Sequence, residues 1–162
     1  MKKILIFLAL FFCPWTPVAL AADTFVVRHV SDGDTLVLDN GQKVRLIGVD
    51  TPEMSDEARN HRNAARNHLS AGIVRDFAVR AKQFVIGQVQ GRKVRLEYDW
   101  ERTDKYGRTL AYVYREPDGY FLNAEIIRQG YGFAYLVFPF RHSGDFRAYA
   151  KEAREKKAGL WK

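Results

Sequence analysis

The sequence has 162 residues, the length of a single ordinary domain, and 47% of them are hydrophobic and 28% charged. This balance excludes an intrinsically disordered chain, and the presence of one cysteine excludes a small fold held together by disulfides. The formal net charge of +7 indicates an acidic partner, such as nucleic acid or anionic lipid.

The N-terminal segment has the layout of a secretory signal peptide. Two lysines follow Met1, an apolar run covers residues 4–13, and residues 19–21 (ALA) form a small-x-small cleavage pattern. This order predicts that residues 1–21 are a signal peptide and that the protein is exported to the periplasm or the extracellular space. The alternative is an uncleaved membrane anchor, since residues 4–22 carry no charge, although two prolines interrupt them.

The mature chain contains short runs rich in β-branched residues, each ended by a turn. These runs are residues 24–30, 35–38, 43–49, 93–98 and 109–114. Asn40-Gly41, between the second and third runs, is the strongest short-range signal for a β-hairpin. Five short strands separated by turns predict a small barrel, closed or partly open.

Three further segments predict helices. Apolar residues recur at helical spacing through residues 64–86, which predicts an amphipathic helix between the third and fourth strands. Residues 123–129 predict a short helix ended by Gly130, and residues 145–157 predict a surface helix packed along one apolar stripe. The predicted fold class is therefore α+β, in one domain over residues 22–162.

The first segment that carries chemistry is residues 31–35 (SDGDT). Asp-Gly is a common turn sequence, so a plain hairpin turn is one interpretation. The other is a pair of carboxylates, Asp32 and Asp34, at the end of a strand, where their oxygens can bind a hard cation.

The second segment is residues 44–53 (VRLIGVDTPE). Asp50 and Asp34 together can hold a metal ion, and the backbone carbonyl of Thr51 can add a third oxygen. Glu53 is then a free carboxylate beside that ion, suited to orient or deprotonate a water molecule.

Arg45 lies in the middle of the apolar strand in this second segment. A guanidinium among buried neighbours is costly unless an anion pairs with it, so Arg45 predicts a carboxylate partner. Strict alternation along a strand places Arg45 and Asp50 on opposite faces. Both can face one site only if the chain bends, and Gly48 is the expected position of the bend.

The third segment is residues 102–108 (RTDKYGR). One interpretation is a polar loop that turns at its glycine. In the other, Lys105 and Arg108 are two cations at the barrel end that carries the aspartates, where an arginine can bind a phosphate through two parallel hydrogen bonds. Further upstream, Arg59, Arg62 and Arg66 form a basic stretch, which is either a solvated face or a surface that steers nucleic acid.

These segments resemble those of the staphylococcal nuclease (thermonuclease) family and occur in the family's order. VRLIGVDTPE is the most specific piece, supported by DGDT and TDKYGR, and the resemblance extends over about residues 25–161. It implies a five-stranded OB-fold β-barrel with three helices. It also implies a Ca²⁺-dependent phosphodiesterase that hydrolyses DNA or RNA at the 5′ P–O bond and leaves 3′-phosphate ends.

The resemblance implies roles for individual residues. The catalytic set that it implies is Arg45, Glu53 and Arg108. The implied calcium ligands are Asp34, Asp50 and the carbonyl of Thr51, with Asp32 in the outer shell. The implied substrate contacts are Lys105, Tyr106 and Tyr135. A second tyrosine expected two residues after the last of these is replaced by Val137.

Three classes of function follow. The first is a nuclease, with single-stranded DNA, RNA and duplex DNA as substrates, no implied protein partner and a monomeric state. The second is a non-catalytic OB-fold module that binds single-stranded nucleic acid. The third is a protein that binds anionic lipid, which leaves the three carboxylates at residues 34, 50 and 53 unexplained.

Overall fold

The computed structural model describes residues 23–162, so the predicted signal peptide, residues 1–21, lies outside the described residues. The strands are β1 (Thr24–Asp32), β2 (Thr35–Leu38), β3 (Lys43–Leu46), β4 (Val49–Asp50), β5 (Lys93–Glu97), β6 (Thr109–Arg115), β7 (Tyr120–Phe121) and β8 (Phe133–Ala134). The helices are α1 (Glu57–Asn67), α2 (Ala71–Val89), α3 (Leu122–Arg128), α4 (Ser143–Glu155) and a final 3₁₀ turn, Gly159–Trp161.

Five of these strands close into a barrel. They are hydrogen-bonded in the order β3-β2-β1-β5-β6, and a parallel pairing of β3 with β6 joins the two ends of the sheet. The short β7 pairs antiparallel with the end of β6, while β4 and β8 form a separate two-stranded ladder. The predicted α+β class and five-stranded OB-fold barrel are confirmed, and the five barrel strands correspond to the five predicted runs.

Alternating apolar side chains fill the barrel. Val27, Val30, Leu36 and Val44 are completely buried, and their neighbours along the strands are more exposed. The predicted hairpin joins β2 to β3, with Gly41 at a positive φ of 83°. Burial of these side chains on one face fixes the register of the strands, because a slip of one residue would expose all of them.

The prediction of one helix over residues 64–86 is wrong at its start, because these residues include the end of α1 and most of α2. His68 adopts the left-handed conformation (φ 56°) and ends α1, and the Ser70 side chain caps the first turn of α2. Helix α1 begins before the predicted segment because the Asp56 carboxylate accepts the backbone N–H of Arg59 at 2.8 Å. Residues 23–162 therefore contain four α-helices where three were predicted.

Asn123, in the first turn of α3, anchors this helix to the barrel. Its side chain is fully buried, accepts the N–H of Val113 at 2.9 Å and donates to the carbonyl of Ile47 at 3.0 Å. Because Ile47 lies between β3 and β4, α3 holds the chain at the point where it leaves the barrel.

Helix α4 packs against α3, β8 and the final 3₁₀ turn. Its buried side chains, Phe146, Ala150 and Ala153, lie along one face, as predicted for a surface helix packed by one stripe. Within residues 23–162, none of the helices is both long and apolar enough to cross a membrane.

Candidate functional site

The strand predicted over residues 43–49 is interrupted at Gly48. This glycine has a φ of 72°, and a Cβ atom there would lie 2.6 Å from the ring of Phe140 and 2.7 Å from that of Phe146. Only glycine adopts this conformation without strain, so the chain bends here, as expected, and β4 follows in a new direction. The bend removes the strict alternation that would have placed the two ends of the segment on opposite faces.

Arg45 and the two aspartates consequently face one another. The side chain of Arg45 is only 12% exposed, forms an ion pair with Asp34 and lies 3.6 Å from Asp50. Burial lowers the pKa of Arg45 to about 10, and the charge of Asp50 opposes that shift. The guanidinium is therefore charged at neutral pH, and Asp34 is the carboxylate partner that its burial demands.

Asp34 lies in the turn between β1 and β2, and several donors orient its carboxylate. It is 2% exposed, and its Oδ2 accepts the backbone N–H of Thr51 at 2.9 Å and the Thr51 hydroxyl at 3.2 Å. The hydroxyl of Thr35 donates to Oδ1 at 3.2 Å. Asp32 accepts the backbone N–H of Asp34 at 3.1 Å and so stabilises the turn from outside this group.

Glu53 is held at the site through its backbone. Its N–H donates to Oδ1 of Asn60 at 3.1 Å, and Nδ2 of the same asparagine donates to the Glu53 carbonyl at 2.5 Å. Asn60 is buried on α1, so this helix positions the loop that follows β4. The carboxylate of Glu53 itself remains partly exposed and forms an ion pair with Arg59.

Arg59 and Asn63 are site residues that the sequence analysis did not identify. Arg59 bonds to both Asp50 and Glu53, and its Nη2 lies 4.0 Å from Oδ2 of Asp34. Asn63 donates to Oδ2 of Asp50 at 2.9 Å. Arg59 thus belongs neither to a solvated face nor simply to a steering surface. The available signal was the i, i+4 spacing of Arg59 and Asn63, which puts both on one face of a helix capped by Asp56.

Arg108 approaches the site from the loop between β5 and β6. Asp104 accepts both its backbone N–H at 3.0 Å and its Nε at 2.7 Å. Burial by itself would raise the pKa of Asp104, but these hydrogen bonds with Arg108 lower it. The other end of the guanidinium donates to the hydroxyl of Thr35 at 3.3 Å, which in turn contacts Asp34.

The site opens into a cavity of about 670 Å³ at this end of the barrel. Tyr106 is 72% exposed, and the charged groups of Lys105 and Arg108 lie 5.0 and 5.5 Å from the centre of its ring. Tyr135 also lines this cavity, and its backbone N–H donates to the carbonyl of Gly48 at 2.8 Å. The cavity wall therefore includes all three predicted substrate contacts.

The residues predicted to bind calcium have the chemistry that this ion requires. Asp34 and Asp50 are 2% and 4% exposed, and their oxygens, with the carbonyl of Thr51, are hard ligands that water can supplement. Within residues 23–162, no group of three or more His, Cys, Asp or Glu side chains is arranged to hold a metal ion. The predicted calcium ligands include only two such side chains, Asp34 and Asp50, because the third ligand is a backbone carbonyl. In this structure Arg59 lies against both of these carboxylates.

Comparison with known proteins identifies the family. The model of the staphylococcal nuclease homologue family matches residues 43–162. The thermonuclease of Staphylococcus intermedius is 34% identical over 146 residues, which cover 86% of this chain and 76% of that protein. The chain belongs to the staphylococcal nuclease family.

Two further relatives extend this comparison. The thermonuclease of Staphylococcus hyicus is 31% identical over 142 residues, covering 85% of this chain and 75% of that protein. The endonuclease YhcR of Bacillus subtilis is 29% identical over 144 residues, which cover 84% of this chain but 11% of that longer protein. The staphylococcal nuclease-like domain described here thus occurs both as most of a protein and as a small part of one.

The family model begins at β3 and therefore includes most of the site. Arg45, Asp50, Glu53 and Arg108 lie within the matched residues, whereas Asp34 lies before them. Asp34 is nevertheless tied to the matched part by Arg45 and by Thr51, so the site is continuous across this boundary.

Proposed function

We propose that this member of the staphylococcal nuclease family is an exported, Ca²⁺-dependent nuclease that hydrolyses DNA or RNA at the 5′ P–O bond and leaves 3′-phosphate ends. One observation carries the proposal. Arg45 pairs with buried Asp34, and Arg59 joins Glu53 to buried Asp50. Arg45, Arg108 and Asp50 line a single cavity beside this group. Export rests on the signal-peptide pattern of residues 1–21.

Calcium fits the oxygens of Asp34, Asp50 and Thr51. The chemistry that it supplies when bound there is a concentrated positive charge, which polarises a phosphodiester and makes an adjacent water more acidic. The protein contributes the orientation of these ligands. The two hydrogen bonds from Thr51 to Asp34 and the one from Asn63 to Asp50 hold the carboxylates before any substrate arrives.

Two guanidinium groups stabilise the charge that develops on the phosphate. Arg45 is held from inside the barrel by Asp34, and Arg108 is held on its loop by Asp104. Because both are oriented before substrate binds, they neutralise the growing charge on the phosphate oxygens without a cost of reorganisation. Removal of one such donor costs about 10²–10³ in turnover in other enzymes.

Glu53 is the residue that handles the proton of the attacking water. Its backbone is clamped by Asn60, while its carboxylate is linked to Asp50 through Arg59 and remains accessible to solvent. A positioned general base of this kind contributes about 10²–10⁴-fold to the rate. As the proton passes from the water to the Glu53 carboxylate, the water oxygen bonds to phosphorus and the bond to the 5′-oxygen breaks. An arginine stabilises the departing 5′-oxygen, which then takes a proton from solvent.

The proposed substrate contacts all line the cavity. Lys105 binds a phosphate oxygen on the loop wall, and Tyr106 and Tyr135 offer their rings to nucleotides. Every base has a face on which an aromatic ring can stack, so these contacts accept DNA and RNA without a preference for sequence.

A non-catalytic module that binds single strands is the second candidate. The observation that favours it is the exposure of Trp100 and Tyr106 beside the basic loop, since exposed aromatic rings and cations form binding platforms in OB-folds. Such a module needs neither Glu53 nor the buried pair of aspartates, and for this reason we favour the nuclease.

Cleavage distinguishes the two candidates. Residues 22–162 are incubated with a labelled single-stranded DNA, either with CaCl₂ or with a chelator, and the rate and the chemistry of the new ends are measured. We expect cleavage in the sample with CaCl₂ and none in the sample with the chelator, and we expect the new ends to carry 3′-phosphates. Tight binding without cleavage in any divalent cation would establish the binding module instead.

A further inference from the structure

Three carboxylates converge on the guanidinium of Arg59. One of its nitrogens bonds to Glu53, and the other bonds to Asp50 and lies 4.0 Å from Asp34. Asp34 and Asp50 are buried, so their charges have little access to solvent. Arg45 supplies a second cation to the same group. Two guanidinium groups therefore compensate three carboxylates, and removal of Arg59 would leave buried negative charge uncompensated.

The contacts of Arg59 are those that a divalent cation would need. Asp50 uses Oδ1 for Arg59 and Oδ2 for Asn63, so both of its oxygens are engaged. A metal ion bound to Asp50 and Asp34 would lie against the Arg59 guanidinium in a poorly solvated site, where the repulsion between two cations is strong. Arg59 in this position therefore competes with a divalent cation for Asp50.

Arg59 can leave the carboxylates without any change in the fold. Its backbone N–H is fixed in the first turn of α1 by the Asp56 carboxylate. Its side chain is 25% exposed and lies on the wall of the large cavity. Rotation about the side-chain bonds alone moves the guanidinium from Asp50 and Glu53 into the cavity, where it stays solvated.

We propose that Arg59 is a resident counter-cation of the calcium site: it holds Asp50 and Glu53 together when no divalent cation is bound, is displaced when one binds, and thereby sets the affinity of the site for calcium. This inference rests on the proposed function in its choice of metal. Arg59 lowers the affinity of the site for calcium, and it also keeps the carboxylates assembled when no calcium is bound. The site then fills only where calcium is abundant.

Calcium binding to R59Q and to R62Q tests this role. Arg62 lies one turn further along α1 and is exposed, so R62Q removes the same charge from the same helix. CaCl₂ is titrated into metal-free protein, residues 22–162, in a calorimeter. We expect R59Q to bind calcium about tenfold more tightly than the wild type, since one competing cation has gone, and R62Q to differ by less than about threefold because solvent screens its charge.

Thermal unfolding gives a readout that does not depend on tight binding. Without metal, R59Q should unfold at a lower temperature than the wild type, and calcium should raise its melting temperature by more than it raises that of the wild type. If R59Q is unfolded without metal, calcium should refold it, as followed by circular dichroism. R59K, which keeps a cation on a shorter side chain, should show an intermediate affinity.

Equal calcium affinity in R59Q and R62Q would overturn the proposal, as would the absence of calcium binding in every variant. The cleavage assay of the wild type is read separately. Calcium-dependent cleavage with equal affinities would reject the role of Arg59 and leave the nuclease intact. Calcium binding that is tighter in R59Q without cleavage by the wild type would support the counter-cation and reject the nuclease.

Discussion

Charge compensation determines the geometry of the site at the scale of single residues. Arg45 is buried and pairs with Asp34, and Arg59 joins Asp50 to Glu53. The two aspartates need a cation because they are removed from solvent, and each cation is oriented by the carboxylate that it neutralises. The site is consequently assembled before substrate binds, which is the arrangement that lowers the cost of reorganisation during a reaction.

Glu53→Gln tests the role of the free carboxylate. Glutamine keeps the size of the side chain and can still accept a hydrogen bond from Arg59, so we expect the variant to fold and to bind DNA. Since an amide does not accept the proton of the attacking water, cleavage should fall by about 10²–10⁴-fold. The measurement is single-turnover cleavage, with circular dichroism to verify the fold.

Glu57→Gln is the matched control for this experiment. Glu57 is the first residue of α1 and is exposed, so the same chemical change occurs close by in a solvated position. Its cleavage rate should stay near that of the wild type. A wild-type rate in Glu53→Gln would eliminate Glu53 as the general base.

The bend between β3 and β4 is the feature that assembles the site at the scale of elements. Gly48 turns the chain by adopting a positive φ, and Asn123 of α3 holds the adjacent carbonyl of Ile47. Helix α1 then places Asn60 and Asn63 against the segment that follows. Removing the bend would separate Arg45 from Asp50, although each residue would remain in the sequence.

Gly48→Ala should both destabilise the protein and abolish cleavage. A methyl group at this position is strained at φ 72° and overlaps the rings of Phe140 and Phe146. We expect a loss of about 2–4 kcal/mol in the free energy of unfolding, measured by urea denaturation. The displacement of Asp50 should also remove cleavage in the fraction that remains folded.

Gly87→Ala provides the comparison. Gly87 lies in α2, and a Cβ atom there meets nothing within 4 Å. This substitution should stabilise the protein by about 0.4–1 kcal/mol, because it restricts the unfolded chain without strain in the folded one. Equal stability of Gly48→Ala and the wild type would show that the bend does not depend on glycine.

The helix break after α1 shows what local sequence does not encode. Apolar side chains recur at helical spacing across the break because α1 and α2 both pack against the rest of the protein. His68 ends α1 in a left-handed conformation that is usual for glycine, so no glycine marks the position. Ser70 caps the first turn of α2, but it lies within an uninterrupted apolar pattern, which predicted one continuous helix.

At the scale of the whole molecule, closure of the barrel gathers loops from distant parts of the chain at one end. Beside the large cavity lies a second one of about 180 Å³, and Asp50, Asn63, Arg66 and Tyr135 border both. Arg147 lies on the wall of the second cavity, on α4. The positive charge of the protein thus continues along the surface beyond the proposed catalytic residues.

The double variant R66Q/R147Q tests whether a nucleic-acid strand follows this surface. We expect it to bind a long single-stranded oligonucleotide more weakly. The slope of log K against log salt should be shallower by about 1.4, the value for two phosphate contacts on a single strand. Binding is measured by fluorescence anisotropy at several salt concentrations.

The double variant K151Q/K157Q is the control for net charge. Neither lysine borders either cavity, so the same loss of charge occurs away from the proposed path. Its salt slope should stay near that of the wild type. If both double variants reduce the slope equally, the effect belongs to the overall charge of the protein and not to a path along α4.

The barrel and the identity of most site residues could be predicted from the sequence. Strand patterning and the Asn40-Gly41 turn are local features, and they indicated the five barrel strands. VRLIGVDTPE and TDKYGR are specific enough to indicate the family, and through that resemblance they predict roles for Arg45, Glu53 and Arg108. These properties depend on which residues are neighbours in the chain.

Only the tertiary structure determined which cation lies among the carboxylates. Arg59 is separated from Asp34 by three strands, a bend and the start of a helix, and its spacing in the sequence resembles that of any basic helix face. It contacts the site because α1 begins at the Asp56 cap and lies across the segment after β4. The sequence determined which charged groups the protein possesses, whereas burial and packing determined which of them compensate one another, because only a closed fold removes them from water.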